Sequence, residues 1–399
     1  MEYRFSPSSE WLDTNIIKEI LKHAQSKEVI SFAGGLPSEE FFPLEAISTA
    51  FQSVMAEGKA TLQYGATEGY WPLREEICKR MVGKGIFATP EETLVTTGSQ
   101  QVIDLVSRVM LDPHDVVFVE SPAFFGATQV FESRGATIIS IGGDKDGMDM
   151  EELQKKLKEY KPKLIYVTPS FSNPTGYVWS VEKRQQLIEI CKKNQVLILE
   201  DDPYGDLKFT KGAEFPTIFS LDMEGKANNN CVIYTSSFSK IVAPALRSGW
   251  AIADTRVIEK LVNVKRVADT HSSSLDQQTL YHLLTSFDLD SHIRKISRHY
   301  YERMKMMSAL LAEQPGISAN WEEPHGGMFL WLELAKDIDT DKLLKIAAKE
   351  GVAFVPGVYF YTDHVKHHQM RLNFTHTDKQ TTLEGLQRLQ KAIEIAFIK

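Results

Sequence analysis

The chain has 399 residues, 43% of them hydrophobic and 25% charged, with a formal net charge of −8. Its length suits one large and one small domain rather than a single minimal core, and its acidic balance argues against nucleic acid as a partner. No apolar run is long enough to span a bilayer, residues 1–7 lack the apolar core of a signal peptide, and the scattered Cys78, Cys191 and Cys231 form no CxxC, which together predict a cytoplasmic protein with reduced thiols.

In chain order, a helix is expected over 15–25, followed by the Gly/Pro-rich segment Ala33-Gly34-Gly35-Leu36-Pro37. These first residues are expected to pack on the smaller domain or on a partner subunit. Thr96-Thr97-Gly98-Ser99-Gln100-Gln101 leads into a helical pattern over 102–110. Strands are expected over 116–119, 136–141, 163–167, 196–199, 231–235 and 249–253, with helices over 126–132 and 181–193. Continuous apolar runs separated by helices predict a parallel sheet covered on both faces. Past about residue 289 the pattern changes. A long helix (291–313), a strand (327–334), a helix (340–350), strands near 352–355 and 370–374 and a last helix (383–398) read as a smaller α+β domain. The expected division is a large cofactor-binding domain over 46–289, with 1–45 and 290–399 forming the small domain.

Three strand ends carry the chemistry. The first delivers Ser172-Asn173-Pro174-Thr175-Gly176, the second Asp201-Asp202-Pro203-Tyr204, and the third Ser237-Phe238-Ser239-Lys240, with Arg247 seven residues further on. The carboxyl ends of parallel strands face one crevice, so an amide, a carboxylate with a tyrosine, and an amine converge. Ser237, Ser239 and Arg247 suit a phosphate. So do the free N–H groups at the helix start near Gly98-Ser99-Gln100. An amine beside a phosphate site points to a Schiff base with pyridoxal phosphate. Asp201 then raises the pKa of the ring nitrogen by charge pairing, Tyr204 and Asn173 donate to the phenolate oxygen, and Lys240 acts as general base and acid.

Competing patterns are weaker. Ser237-x-x-Lys240 fits the penicillin-binding acyl enzymes, but their Ser-Asp-Asn and Lys-Thr-Gly partners are missing. Glu200, Asp201, Asp202 and Asp206 crowd like a magnesium or glycosidase site, although some of them are expected to be solvated loop acids. His364, His367 and His368 have no common metal spacing, so no metal is expected. Asn373-Phe374-Thr375 is a glycosylation sequon that a cytoplasmic chain would not use.

These residues carry a family resemblance over nearly the whole chain. Gln63-Tyr64-Gly65-Ala66-Thr67-Glu68-Gly69-Tyr70, Gly98-Ser99-Gln100-Gln101, Asn173-Pro174-Thr175-Gly176, Asp201-Asp202-Pro203-Tyr204, Ser237-Phe238-Ser239-Lys240, Gly326-Gly327-Met328-Phe329 and Arg371-Leu372-Asn373-Phe374 follow in the order of the class I/II aminotransferases. The chain resembles these fold-type I pyridoxal-phosphate enzymes, and in particular the 2-aminoadipate and kynurenine aminotransferase branch. The resemblance implies an α/β fold with a mostly parallel seven-stranded sheet of the aspartate-aminotransferase type. It implies that Lys240 carries the cofactor as an aldimine, that Asp201 pairs with the ring nitrogen, and that Tyr204 and Asn173 hold the 3-oxygen. It assigns Ser99, Gln100, Ser237 and Arg247 to the phosphate, and Tyr64 to the phosphate of the other subunit of a homodimer. Phe124 takes the place of the stacking aromatic, where tyrosine is common. Arg371, assisted by Asn173, clamps the substrate carboxylate, and Gly35 brings backbone near the substrate.

Relatives that favour acidic substrates carry basic residues near the N-terminus, where this chain has Ser9-Glu10-Trp11-Leu12-Asp13 with no arginine. The expected donor is therefore a neutral, aromatic or large aliphatic L-amino acid, with a 2-oxo acid such as 2-oxoglutarate as acceptor. A β-lyase of the same fold is the nearest alternative. A cofactor-sensing regulator is the alternative of another class, and the acidic chain lacks the basic N-terminal module such a regulator needs.

Overall fold

A computed structural model of the chain describes residues 3–6, 9, 29–210 and 215–397. The expected helix over 15–25 and the segment around Trp11 lie outside the described residues.

We number the strands of the two main sheets β1 to β11. The larger sheet contains β1 (Thr93–Thr96), β2 (Val116–Glu120), β3 (Thr137–Ile141), β4 (Pro162–Val167), β5 (Leu197–Asp201), β6 (Val232–Ser237) and β7 (Gly249–Ile252). Their spatial order is β3-β2-β4-β5-β6-β7-β1. All neighbours are parallel except at β7, which runs antiparallel to both β6 and β1. The seven-stranded sheet is mostly parallel, as expected, with β7 the exception to the continuous parallel run that the apolar pattern suggested. The link from β6 to β7 holds only two short 3-10 turns, Phe238–Lys240 and Pro244–Leu246. A parallel return requires a longer crossover, usually a helix. β1 carries no continuous apolar run in sequence and was not foreseen as a strand.

Alternation along each strand sends successive side chains to opposite faces. On β4, Leu164 and Tyr166 face a core with Val102, Ile103 and Phe131, while Ile165 and Val167 face the core that holds Leu187 and Ile188. The first set belongs to α1 (Ser99–Met110) and α2 (Phe125–Ser133), the second to α3 (Val181–Asn194). Both faces are covered, as the apolar runs required.

The smaller antiparallel sheet contains β8 (Ala319–Asn320), β9 (Phe329–Leu334), β10 (Val355–Pro356) and β11 (Gln369–Asn373), in the order β8-β9-β11-β10. The single strand expected near 352–355 divides in two. Val355–Pro356 joins this sheet, whereas Val352–Ala353 pairs in parallel with Ile30–Ser31. That pairing, with Asn373 N donating to Phe32 O at 2.8 Å, carries residues 30–36 across the end of the large sheet.

Candidate active site

A cavity of about 410 Å³ opens at the carboxyl ends of β4, β5 and β6, closed on one side by Ala33, Gly34, Gly35 and Leu36. Lys240, Asp201, Tyr204, Asn173, Ser237, Arg247, Ser99, Gln100, Phe124, Arg371 and Gly35 all line it. Tyr64 does not. It is 82% exposed, with its ring set edge-on to His271 at 5.6 Å.

Lys240 sits in the first turn after β6, and its Nζ donates to Gly35 O at 2.7 Å. Burial, together with the nearby Arg371 and Arg247 charges, lowers its pKa from 10.5 to about 8. Asp201 ends β5 and is 2% exposed. Its Oδ2 accepts from Tyr166 OH at 2.9 Å, while its Oδ1 is buried with no partner. Burial, with Asp202 alongside, lifts this carboxyl to about 7. Tyr204 is buried with its ring edge-on to Phe329, and burial raises its phenol.

The phosphate side is built from short hydroxyl contacts. Ser237 Oγ donates to Ser239 Oγ at 2.8 Å and itself accepts from Ser239 N at 3.0 Å. Arg247 Nη2 donates to Thr97 O at 2.9 Å, which ties the turn after β6 to the turn before α1. Gly98 at the start of α1 has φ +94°, and a Cβ there would stand 3.0 Å from Arg247 Nη2. Glycine satisfies both demands. The side-chain amide of Gln100 donates to Gly126 O at 2.7 Å, so what it offers an anion is its backbone N–H at the helix start. Phe124 lies against Gly126, where a Cβ would come within 2.4 Å of its ring.

Arg371 is buried on β11. It donates to Asn173 Oδ1 at 2.6 Å and Ala33 O at 2.5 Å, and its guanidinium carbon lies 4.2 Å from the Phe329 ring centre. Those bonds use two of its five N–H groups, and Nε has no partner.

The sequence of residues 27–389 matches the family described as aminotransferase class I and II. The chain belongs to the class I and II aminotransferase family. It is 36% identical over 391 residues to 2-aminoadipate transaminase from Thermus thermophilus, covering 98% of this chain and 96% of that protein. It is also 36% identical over 400 residues to aromatic-amino-acid aminotransferase 1 from Thermococcus litoralis, covering 98% and 94%. Kynurenine aminotransferase from Pyrococcus horikoshii, solved with PMP, superimposes with a TM-score of 0.90 at 37% identity over 98% of this chain and 97% of that one. The fold is of the aspartate-aminotransferase type.

The cofactor of this aminotransferase is pyridoxal 5'-phosphate. The cavity fits it. An unpartnered buried carboxylate oxygen on Asp201 suits a ring N–H, the Lys240 amine lines the same cavity, and hydroxyls, a guanidinium and a helix N-terminus suit a phosphate.

The acids around Asp201 need a correction. Solvated loop acids were expected among them, yet Glu200, Asp201 and Asp202 are 0%, 2% and 1% exposed. Asp206 is mostly covered too, paired with Arg80 at 2.9 Å and Lys84 at 3.3 Å. Each neighbour of Asp201 has its own compensation, so the crowding builds no carboxylate pair. Asn373 of the sequon is fully buried with its amide on Gly34 O at 2.7 Å. His368 meets Glu333 at 2.9 Å, and no cluster of three metal-capable side chains occurs among the described residues. Sequence reasoning missed Tyr166 and Thr168. Both lie in or just beyond β4 and look like ordinary core positions until the strand register is known.

Proposed function

We propose that this aminotransferase takes the amino group from a neutral L-amino acid, aromatic or large aliphatic, and passes it to a 2-oxo acid such as 2-oxoglutarate. The observation that carries the reading is the charge inventory of the cavity. Its lining cations are Lys240, Arg247 and Arg371, and Leu36, Phe124, Phe125, Pro203 and Pro244 give it an apolar share of wall. Lys240 and Arg247 are committed to the cofactor and Arg371 to the α-carboxylate, which leaves no described cation for a side-chain carboxylate. The two relatives at 36% identity, one named for 2-aminoadipate and the other for aromatic amino acids, do not discriminate between these substrates.

Bound pyridoxal phosphate supplies the electron sink that weakens bonds at the substrate Cα. The protein residues do the rest. Asp201 Oδ1 would hold the ring-nitrogen proton, and Asn173 and Tyr204 would hold the 3-oxygen. Ser99, Gln100, Ser237 and Arg247 anchor the phosphate, and Phe124 covers the ring face. Arg371 grips the carboxylate with its spare N–H groups, a fork geometry lysine cannot supply. The Lys240 amine, which lines the same cavity as Arg371, would take and return the proton at the substrate Cα. Tyr64, exposed in its own subunit, reaches the phosphate of the other subunit in a homodimer.

The test is a half-reaction. The protein loaded with cofactor is mixed with a panel of amino acids, and loss of its near-visible absorbance is followed. Fast bleaching by aromatic and large aliphatic donors is expected. A preference for aspartate or 2-aminoadipate overturns the substrate class. Binding without turnover overturns the transferase reading, as does near-visible absorbance that survives Lys240→Ala.

A further inference from the structure

Tyr166 lies within β4, fully buried, with its ring edge-on to Phe131 at 5.8 Å. A phenol at such a position requires a partner for its hydroxyl. The sheet register supplies one. Tyr166 stands opposite Leu199 on β5, and Asp201 is two residues further along the same face. Diagonal neighbours on one face are within reach of an aromatic side chain. The Tyr166 hydroxyl accordingly donates to Asp201 Oδ2 at 2.9 Å, while Asp201 Oδ1 is left without a partner at the cavity wall.

We infer that Tyr166 is a positioning residue: its hydroxyl fixes the rotation of the Asp201 carboxylate and holds its charge, so that Oδ1 faces the cofactor ring nitrogen. The inference rests on the role proposed above for Asp201. A carboxylate on a single Cβ–Cγ bond can rotate, and an oxygen tied from the sheet side removes that freedom. A donor to the ionised form also favours ionisation. The opposing influences are strong here. Burial and Asp202 push the Asp201 carboxyl up to about 7, against the Tyr166 hydrogen bond and the nearby Ser99, whose hydroxyl makes no hydrogen bond to Oδ1 in this arrangement. Glu120, itself lifted to about 7 by burial, and Tyr204 bear on the same carboxylate. Lys240 and Arg247 share the cavity. With the cofactor bound, a proton between Asp201 Oδ1 and the ring nitrogen would be biased toward the nitrogen by the Tyr166 hydrogen bond.

Tyr166→Phe removes the hydroxyl and keeps the ring. In cofactor-free protein, the Asp201 carboxyl is followed by infrared difference spectra against Asp201→Asn across pH. The midpoint is expected to rise by about one pH unit, the size of one hydrogen bond to a charged group. Affinity for pyridoxal phosphate is expected to fall about tenfold, and this loss should vanish when Tyr166→Phe is made on Asp201→Asn. Replacement of Tyr166 by 3-fluorotyrosine, a stronger donor of the same shape, should lower the midpoint and serves if the phenylalanine variant fails to fold. An unchanged midpoint, or an equal affinity loss in the Asp201→Asn background, overturns the inference. The infrared titration involves no cofactor, so it stands apart from the Lys240→Ala result that bears on the function itself.

Discussion

The reactivity of Lys240 should depend on the charge of Arg371 more than on its shape. Lys240 is half-buried, and desolvation with the Arg371 and Arg247 charges brings its pKa from 10.5 to about 8. Only the neutral amine attacks a carbonyl. At pH 8 about half of Lys240 is neutral, against roughly 0.3% of an ordinary lysine, a gain of about 150-fold. Arg371→Gln removes one like charge and keeps a polar amide. At an effective dielectric of about 20, a like charge roughly 8–12 Å away, the span of a small cavity, shifts a titration by about one to one and a half pH units, so the midpoint should rise by that amount. Arg371→Lys retains the charge and should leave the midpoint within a few tenths. The assay is uptake of pyridoxal phosphate by cofactor-free protein in a stopped-flow instrument across pH, read as near-visible absorbance. A wild-type midpoint above about 9.5, or equal shifts for the two variants, would refute the reasoning. The same shift sets a stability trend. Between pH 8 and 10.5 the unfolded chain binds more protons at this lysine than the folded one, so the cofactor-free protein gains up to about 3 kcal/mol as pH rises through that window.

Two further outcomes follow from packing. Lys84 Nζ lies 2.7 Å from Asp202 Oδ2 and 3.3 Å from Asp206. Burial opposes its charge, yet these carboxylates hold its pKa well above the ordinary value. Lys84→Met leaves the buried Asp202 with no cation, while Asp206 keeps Arg80, and should cost about 3–5 kcal/mol in denaturant unfolding; a loss below about 1 kcal/mol would contradict it. A Cβ on Gly126 would stand 2.4 Å from the Phe124 ring, so Gly126→Ala should displace that ring and weaken pyridoxal phosphate binding about tenfold. Titration of the dialysed protein checks this, and an unchanged affinity would remove Phe124 from the proposed stacking position.

What the sequence made legible is what depends on local pattern. The six foreseen strands of the large sheet are rich in apolar residues, five of them in near-continuous runs and Thr137–Ile141 broken by Ser140, and Lys240, Asp201 and Asn173 follow strand ends at short spacing. β1 escaped notice because Thr-Leu-Val-Thr offers two apolar residues between hydroxyls. The reversal at β7 depends on the length of one connection. Tyr166 was unreadable for a different reason: a tyrosine in an apolar strand is indistinguishable from core until the facing strand is known. The ion pair between Lys84 and Asp202 joins residues 118 apart in sequence, and no local periodicity announces it.

The run Glu200-Asp201-Asp202 shows why register decides chemistry at this site. Three adjacent carboxyls are buried, and isolated buried carboxylates are costly. β5 sends Glu200 to the face opposite Asp201, where it accepts from the Ile218 and Phe219 N–H groups at 2.8 and 2.9 Å. Asp202, just past the strand, accepts from Lys84 and from Tyr234 OH at 2.8 Å. Asp201 alone of the three lines the cavity, with one oxygen on Tyr166 and the other unpartnered. A shift of β5 by one residue would turn Glu200 toward the cavity with a longer side chain and place Asp201 against the helix start at Ile218. The triplet is therefore not three interchangeable acids. The middle one has its charge left uncompensated by any cation in hydrogen-bond contact, which is the condition a protonated ring nitrogen would satisfy.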